Sequence, residues 1–216
     1  MVHRPSTVLL TGFDAFGGEH LNPSWLAVKA LHGRQIAGHR VVAVQLPTVF
    51  DASMNALRQA LLLHRPQLVV CVGQAGGRSA MSLERIAINL NDARIADNAQ
   101  AQPIDTPVVS GAPTAYFSSL PIKAMLRDLQ LADIAAEVSQ TAGTFVCNHV
   151  FYGLMHFLAT QRGFKKSRGG FIHVPFLPEQ GLPCMPLPDL TRGLQVAVRT
   201  ALATSSDVRI GAGAVQ

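Results

Sequence analysis

"QLVVCVG", residues 67–73, is an apolar run containing one cysteine, opened by glutamine and closed by glycine. A strand with one wet face alternates polar and apolar residues. An unbroken apolar run this short marks a strand covered on both faces, as in parallel sheets flanked by helices. Working outward, "TVLLTG" (7–12), "RVVAVQLP" (40–47) and "GGFIHVPF" (169–176) carry similar signatures. Helical segments fall between them. "NPSWLAVKALHG" (22–33) has an Asn cap, Pro at the first helical position and Gly after its end, and "FDASMNALRQALLLHRP" (50–66) puts Met54, Leu57, Leu61 and Leu62 on one face. "PIKAMLRDLQLA" (121–132), "TFVCNHVFYGLMHFLATQ" (144–161) and "DLTRGLQVAVRTALATS" (189–205) are further predicted helices, and "AAEVSQT" (135–141) a short strand. This alternation predicts the α/β class, built around a mostly parallel, twisted sheet with sites at the carboxyl ends of its strands.

Two segments break the rhythm. "SLERIAINLND" (82–92) alternates, with Glu84, Ile86, Ile88 and Leu90 on one side, and predicts a strand. Residues 91–120 are rich in Asp, Asn, Pro and Gly; a connection that long usually carries function, so it is expected to form a site wall or lid. With no repeat and no linker in view, the 216 residues are expected to form a single domain, 1–216.

Composition removes several classes of function. With 48% hydrophobic and 14% charged residues the chain can bury a full core. The formal charge is +5, but the one basic cluster, "QRGFKKSRGG" around Lys165 and Lys166, has no interleaved aromatics and reads as a solvated connector, so no nucleic-acid partner is expected. The apolar run in "MVHRPSTVLLTGF" is too short for a signal peptide and no stretch approaches the ~20 apolar residues of a membrane span. A cytoplasmic protein without membrane contact is expected. Cys71, Cys147 and Cys184 form no C-x-x-C pair and no zinc-type spacing with histidine, which argues against a disulfide framework and a structural metal. Cys71, inside the opening run, reads as an inert core residue, and Cys184 as a loop residue.

Two glycine turns follow strands. "GFDAFGGE" has P-loop spacing, but Gly18 and Glu19 stand where Lys and Ser or Thr are needed; "GQAGGR" (73–78) is not G-x-G-x-x-G and runs into a strand. Phe13 and Phe16, flanking the first turn, face either the core or a ligand.

"GTFVCNH" (143–149) places Cys147 in the first turn of a helix, where unpaired N–H groups and the helix dipole favour a thiolate, with Thr144 as the cap. A helix cysteine is more often packing, so a base has to be found. His149 lies two residues on, about 200° around the helix, and points away. His173, near the carboxyl end of "GGFIHVPF", stands where α/β sites collect. Glu84 is the acidic member of an otherwise apolar face; buried, it needs a partner, and an imidazolium would serve. Pairing with Arg85 or Arg94 at the surface is the alternative.

With Glu84, Cys147 and His173 in chain order, the sequence resembles the pyrrolidone-carboxylate peptidases, or pyroglutamyl peptidase I. The motifs are "TGFDAFGGEHLNPSW", "GQAGGRSAMSLERIAINLNDARIADN", "PIDTPVVSGAPTAYFSSLPIKAM", "SQTAGTFVCNHVFYGLMH" and "GGFIHVPFLPEQ", reaching to about residue 180. The resemblance implies a three-layer α/β/α sandwich and a cofactor-free cysteine exopeptidase that removes N-terminal 5-oxoproline from peptides through a thioester acyl-enzyme. It further implies a cytoplasmic homotetramer. It carries the catalytic positions onto Glu84, Cys147 and His173, the substrate pocket onto Phe13, Phe16, Asn22 and Gln74, and a helping oxyanion donor onto Arg94. In "DARIADN" this chain has Ala96 where the family often has Pro. A nucleotide- or small-molecule-binding module, or a nucleoside phosphorylase-like enzyme, would share the architecture; both would depend on phosphate and have no need of Cys147.

Overall fold

The computed structural model describes residues 6–213. The opening run becomes β4 (Leu68–Gln74), a central strand of a seven-stranded sheet. The other strands are β1 (Thr7–Phe13), β2 (Gln35–Ile36), β3 (His39–Leu46), β5 (Met81–Glu84), β8 (Ala136–Ser139) and β9 (Arg168–Val174), in the order β2-β3-β1-β4-β9-β5-β8. β3, β1, β4 and β9 run parallel, whereas β5 lies antiparallel to β9 and β8 follows β5.

Helices cover both faces. Val70, Val72, Ile172 and Val174 point into one apolar cluster with α1 (Pro23–Lys29), α3 (Ile122–Leu131) and α5 (Leu187–Ala203). Val69, Cys71 and Phe171, on the opposite face, join a second cluster with α2 (Phe50–His64) and α4 (Val146–Thr160). Burial on both sides is why β4 reads as an unbroken apolar run. The α/β/α sandwich is as expected.

Three boundaries differ from expectation. The strand expected over 82–92 is broken at Arg85: its first part is β5, and its second, β6 (Ile86–Ile88), pairs with β7 (Ala115–Phe117) in a separate two-stranded sheet. Tertiary pairing makes the break, because the Arg85 N–H donates to the Ser139 carbonyl while its own carbonyl accepts from Ser118 N–H. The connection 91–120 accordingly contains a strand, and Asn91 and Thr106 form an isolated bridge inside it. At α4, Thr144 is not the cap. Phe145 holds that position without a side-chain hydrogen bond, and the Thr144 hydroxyl donates to the Asp92 carbonyl instead.

Candidate active site

The register of the sheet assembles the site. His173 lies opposite Gly73 of β4 on one side and opposite Ser82 of β5 on the other. Directly opposed residues share a face, here the one covered by α4. Because β5 runs backwards, its carboxyl end reaches inward: Glu84 sits opposite Phe171, deeper in the sheet than His173, and is 0% exposed. His173 Nδ1 donates to Glu84 Oε1 at 2.7 Å. A carboxylate offers only acceptors, so the ring nitrogen facing it, Nδ1, carries a proton, and Nε2 is the nitrogen turned away from it.

Cys147 is the second residue of α4, and its sulfur lies against β4. A methyl group on Gly73 would come within 2.7 Å of Cys147 Sγ and 2.8 Å of the Phe171 ring. The glycine that ends the opening run is thus the gap into which the thiol fits, and the register puts His173 beside that gap. Among the described residues no hydrogen bond joins Sγ to the imidazole; such bonds are often long before substrate arrives.

The charge state of the thiol differs from expectation. Removal from water pushes Cys147 up to about 12, the negative charge of Glu84 adds to this, and Arg78 pulls weakly the other way. Burial leads these influences and favours the protonated thiol.

His149 behaves as the helical spacing predicts. It faces away from the thiol, with Nδ1 at 3.0 Å from Asn91 Oδ1 and its ring edge-on to Phe50, and burial lowers it to about 4, a neutral core imidazole. His3 lies outside the described residues.

The pocket residues divide. Phe13 is not in the loop: it ends β1, is 2% exposed and packs on Phe171. Phe16 is half-buried in the following turn, its ring against Phe145, which packs in turn on Phe50. Phe145, immediately before α4, was not singled out from the sequence; an aromatic preceding the helix start that carries Cys147 is the signal that could have found it. Asn22 is buried and caps α1, accepting from Ser24 N–H and hydroxyl through Oδ1 and donating to the Asp14 carbonyl. Gln74 Oε1 accepts from Gln180 Nε2 at 3.2 Å, and the same nitrogen lies 3.3 Å from Glu19, which ties the two glycine turns together. Arg94 is exposed, and its guanidinium makes no hydrogen bond or ion pair among the described residues.

Sequence reasoning also missed Arg78, at the end of "GQAGGR". Its Nη1 donates to Glu84 Oε1 at 2.9 Å, the same oxygen that His173 uses. The available signal was a lone cation in a glycine turn six residues before an inward carboxylate.

This arrangement can be set beside known proteins. A family model described as "Pyroglutamyl peptidase" matches residues 6–204. The chain belongs to the pyroglutamyl peptidase family. The match extends past residue 180 and takes in α5. A pyrrolidone-carboxylate peptidase of Cupriavidus taiwanensis is 59% identical over 208 residues, covering 94% of this chain and 96% of that protein. The crystal structure of pyroglutamyl peptidase I from Bacillus amyloliquefaciens superposes with a TM-score of 0.93 at 47% identity, covering 96% of this chain and 100% of that one. A mutant pyrrolidone carboxyl peptidase from Pyrococcus furiosus gives 0.88 at 42% identity, with 91% and 98% covered. Membership makes the chain an enzyme of a cysteine-type hydrolase family. No helix among the described residues is long and apolar enough to cross a membrane.

Proposed function

We propose that this chain removes N-terminal pyroglutamyl residues from peptides, with Cys147 as nucleophile, His173 as general base and acid, and Glu84 as the group that orients and balances the imidazole. The observation that carries this reading is the seating of Cys147 Sγ over Gly73, in register with a His173 whose Nδ1 is committed to the buried Glu84. A protonated thiol sets the order of events. As Sγ attacks the pyroglutamyl carbonyl carbon, its proton passes to His173 Nε2; the amine then leaves with that proton, and a thioester remains. Water, deprotonated by the same nitrogen, releases pyroglutamate and restores the thiol. Glu84 offsets the imidazolium that exists between the two transfers.

The oxyanion falls to the start of α4, whose first N–H groups have no side-chain cap, with Arg94 as a second donor from the loop. Phe16 and Phe145 supply ring faces for the lactam, with the buried Phe13 packed at the end of β1 as part of the pocket floor, and Gln74 a polar contact. Asn22, occupied in capping, acts by shaping the turn that carries Phe16. Such a pocket disfavours a charged amino terminus, which would lose its hydration against phenylalanines. We further propose a cytoplasmic homo-oligomer, tetrameric by the family resemblance, which light scattering on the purified protein tests. The decisive assay is release of a fluorophore from a pyroglutamyl amide. Activity abolished by iodoacetamide is expected, with a prolyl amide left intact; equal turnover of the prolyl amide, or insensitivity to alkylation, overturns the reading.

A further inference from the structure

Glu84 has an unequal arrangement of partners for a carboxylate that is 0% exposed. Both its contacts fall on Oε1, from His173 Nδ1 at 2.7 Å and from Arg78 Nη1 at 2.9 Å, while Oε2 has no partner. Arg78 reaches inward from the turn joining β4 to β5, and its side chain is 29% exposed. Its Nη2 lies 3.4 Å from the Thr141 carbonyl, in the segment that leads to α4. One guanidinium therefore touches the carboxylate that orients the base and the chain that delivers the nucleophile.

We propose that Arg78 is a positioning residue of the site: by sharing Glu84 Oε1 with His173 it holds the carboxylate in place and divides its charge between the two donors. The inference rests on the reading of His173 as the base. Removing Arg78 would leave Glu84 one contact, about which a carboxylate with an unpartnered second oxygen can turn. It would also remove a cation that opposes protonation nearby. The charged and titratable groups facing His173 are Glu84 on β5, Arg78 on the turn, Cys147 on α4, Cys71 on β4, and Glu137 on β8, whose Oε1 accepts from the Ser82 hydroxyl opposite the ring. Arg78 is the one permanent cation in that set. Without it, a proton on the Glu84–His173 pair is favoured whichever member carries it, and the pair takes up its proton at higher pH.

The test uses Arg78→Met and Arg78→Lys, read in two ways. One is the pH dependence of kcat/KM on a pyroglutamyl amide. The other is the ring-proton NMR titration of His173, assigned by its absence in His173→Asn, which needs no substrate. For Arg78→Met we expect roughly a tenfold fall in kcat with KM nearly unchanged, and an upward move of about one pH unit in both the acid limb and the titration. Arg78→Lys keeps the charge and should restore most of the pH position. Arg78→Gln, uncharged but able to donate to Oε1, is the second variant should the methionine not fold, with the same upward move expected. An unmoved His173 titration in a folded, uncharged variant overturns the proposal and leaves Arg78 a loop tether. Failure of the wild type to cleave pyroglutamyl amides sinks the proposed function instead, and the titration still decides the role of Arg78.

Discussion

Cys71 and Cys147 contribute to the same face of the sheet and the same apolar cluster, and burial pushes each up to about 12. By ionisation alone they are the same residue. Their surroundings are not. Cys71 stands in the middle of β4, sealed between β1 and β9, opposite Thr11 on one side and Phe171 on the other. Cys147 stands at an uncapped helix start and retains partial exposure, over a glycine in register with an imidazole held by a carboxylate. On the proposed reading, what sets Cys147 apart is a neighbour placed to accept the proton during attack, rather than a thiol ionised beforehand.

The largest effect is expected where the two thiols are exchanged for hydroxyls. Cys147→Ser should lower turnover of a pyroglutamyl amide by a thousandfold or more while the protein folds normally, because a serine hydroxyl is a far weaker nucleophile with the same base. Cys71→Ser should stay within a few-fold of wild type in turnover. Comparable losses in the two variants would mean that Cys147 is merely packing.

A smaller effect tests the gap that distinguishes them. A methyl group at Gly73 would meet Cys147 Sγ at 2.7 Å and Phe171 at 2.8 Å, closer than side chains tolerate, so one of the two must move. The fold can absorb this by turning the thiol away, at a cost of about 1–3 kcal/mol. Gly73→Ala should then cut kcat roughly a hundredfold, with only a few degrees lost in Tm. Gly153→Ala is the control. Its methyl presses on the Met54 thioether in the same apolar cluster and should affect stability without affecting kcat. Unchanged kcat in Gly73→Ala would show that the thiol does not need this seat.

The same contrast separates what was legible in the sequence from what was not. Doubly covered strands announce themselves because both faces demand apolar residues, so β1, β4 and β9 could be read locally, and the sandwich followed. Glu84 was legible as an acid on an apolar face, and His173 as a polar residue at a strand end. What escaped depends on distant partners. The alternation over 82–92 looked continuous, yet Ser139 and Ser118 divide it at Arg85. Thr144 had the composition of a cap, yet the Asp92 carbonyl, 52 residues away in sequence, takes its hydroxyl. The helix start suggested an ionised thiol, yet the thiol is seated against Gly73 of β4 and burial raises it. For Arg78 the local signal, a cation in a glycine turn, does not name its partner, since the antiparallel return of β5 is what brings Glu84 within its reach.

The smallest expected effect concerns the property the two thiols share. A thiol raised from 9.0 to about 12 in the folded protein ionises first in the unfolded chain, which then holds fewer protons than the native state. The sign follows: each thiol's contribution is fully present below about pH 9 and is lost as pH rises toward 12, at about 1.4 kcal/mol per pH unit for each. Replacing Cys71 by alanine removes one of the two. At pH 8 the variant should be the less stable, because a buried sulfur has been deleted. Between pH 9 and 11 the wild type should lose stability faster, so the difference narrows and can reverse. Cys147→Ala should narrow in the same way, although the two variants differ by three orders of magnitude in turnover. Urea midpoints at pH 8, 9, 10 and 11 for the wild type and both alanine variants would measure this, with the slope m checked for constancy. A difference independent of pH for Cys147→Ala, beside one that narrows for Cys71→Ala, would mean that the Cys147 thiol ionises as readily in the fold as out of it. The two cysteines would then differ in ionisation after all, and reactivity would have to be traced to that difference instead of to His173.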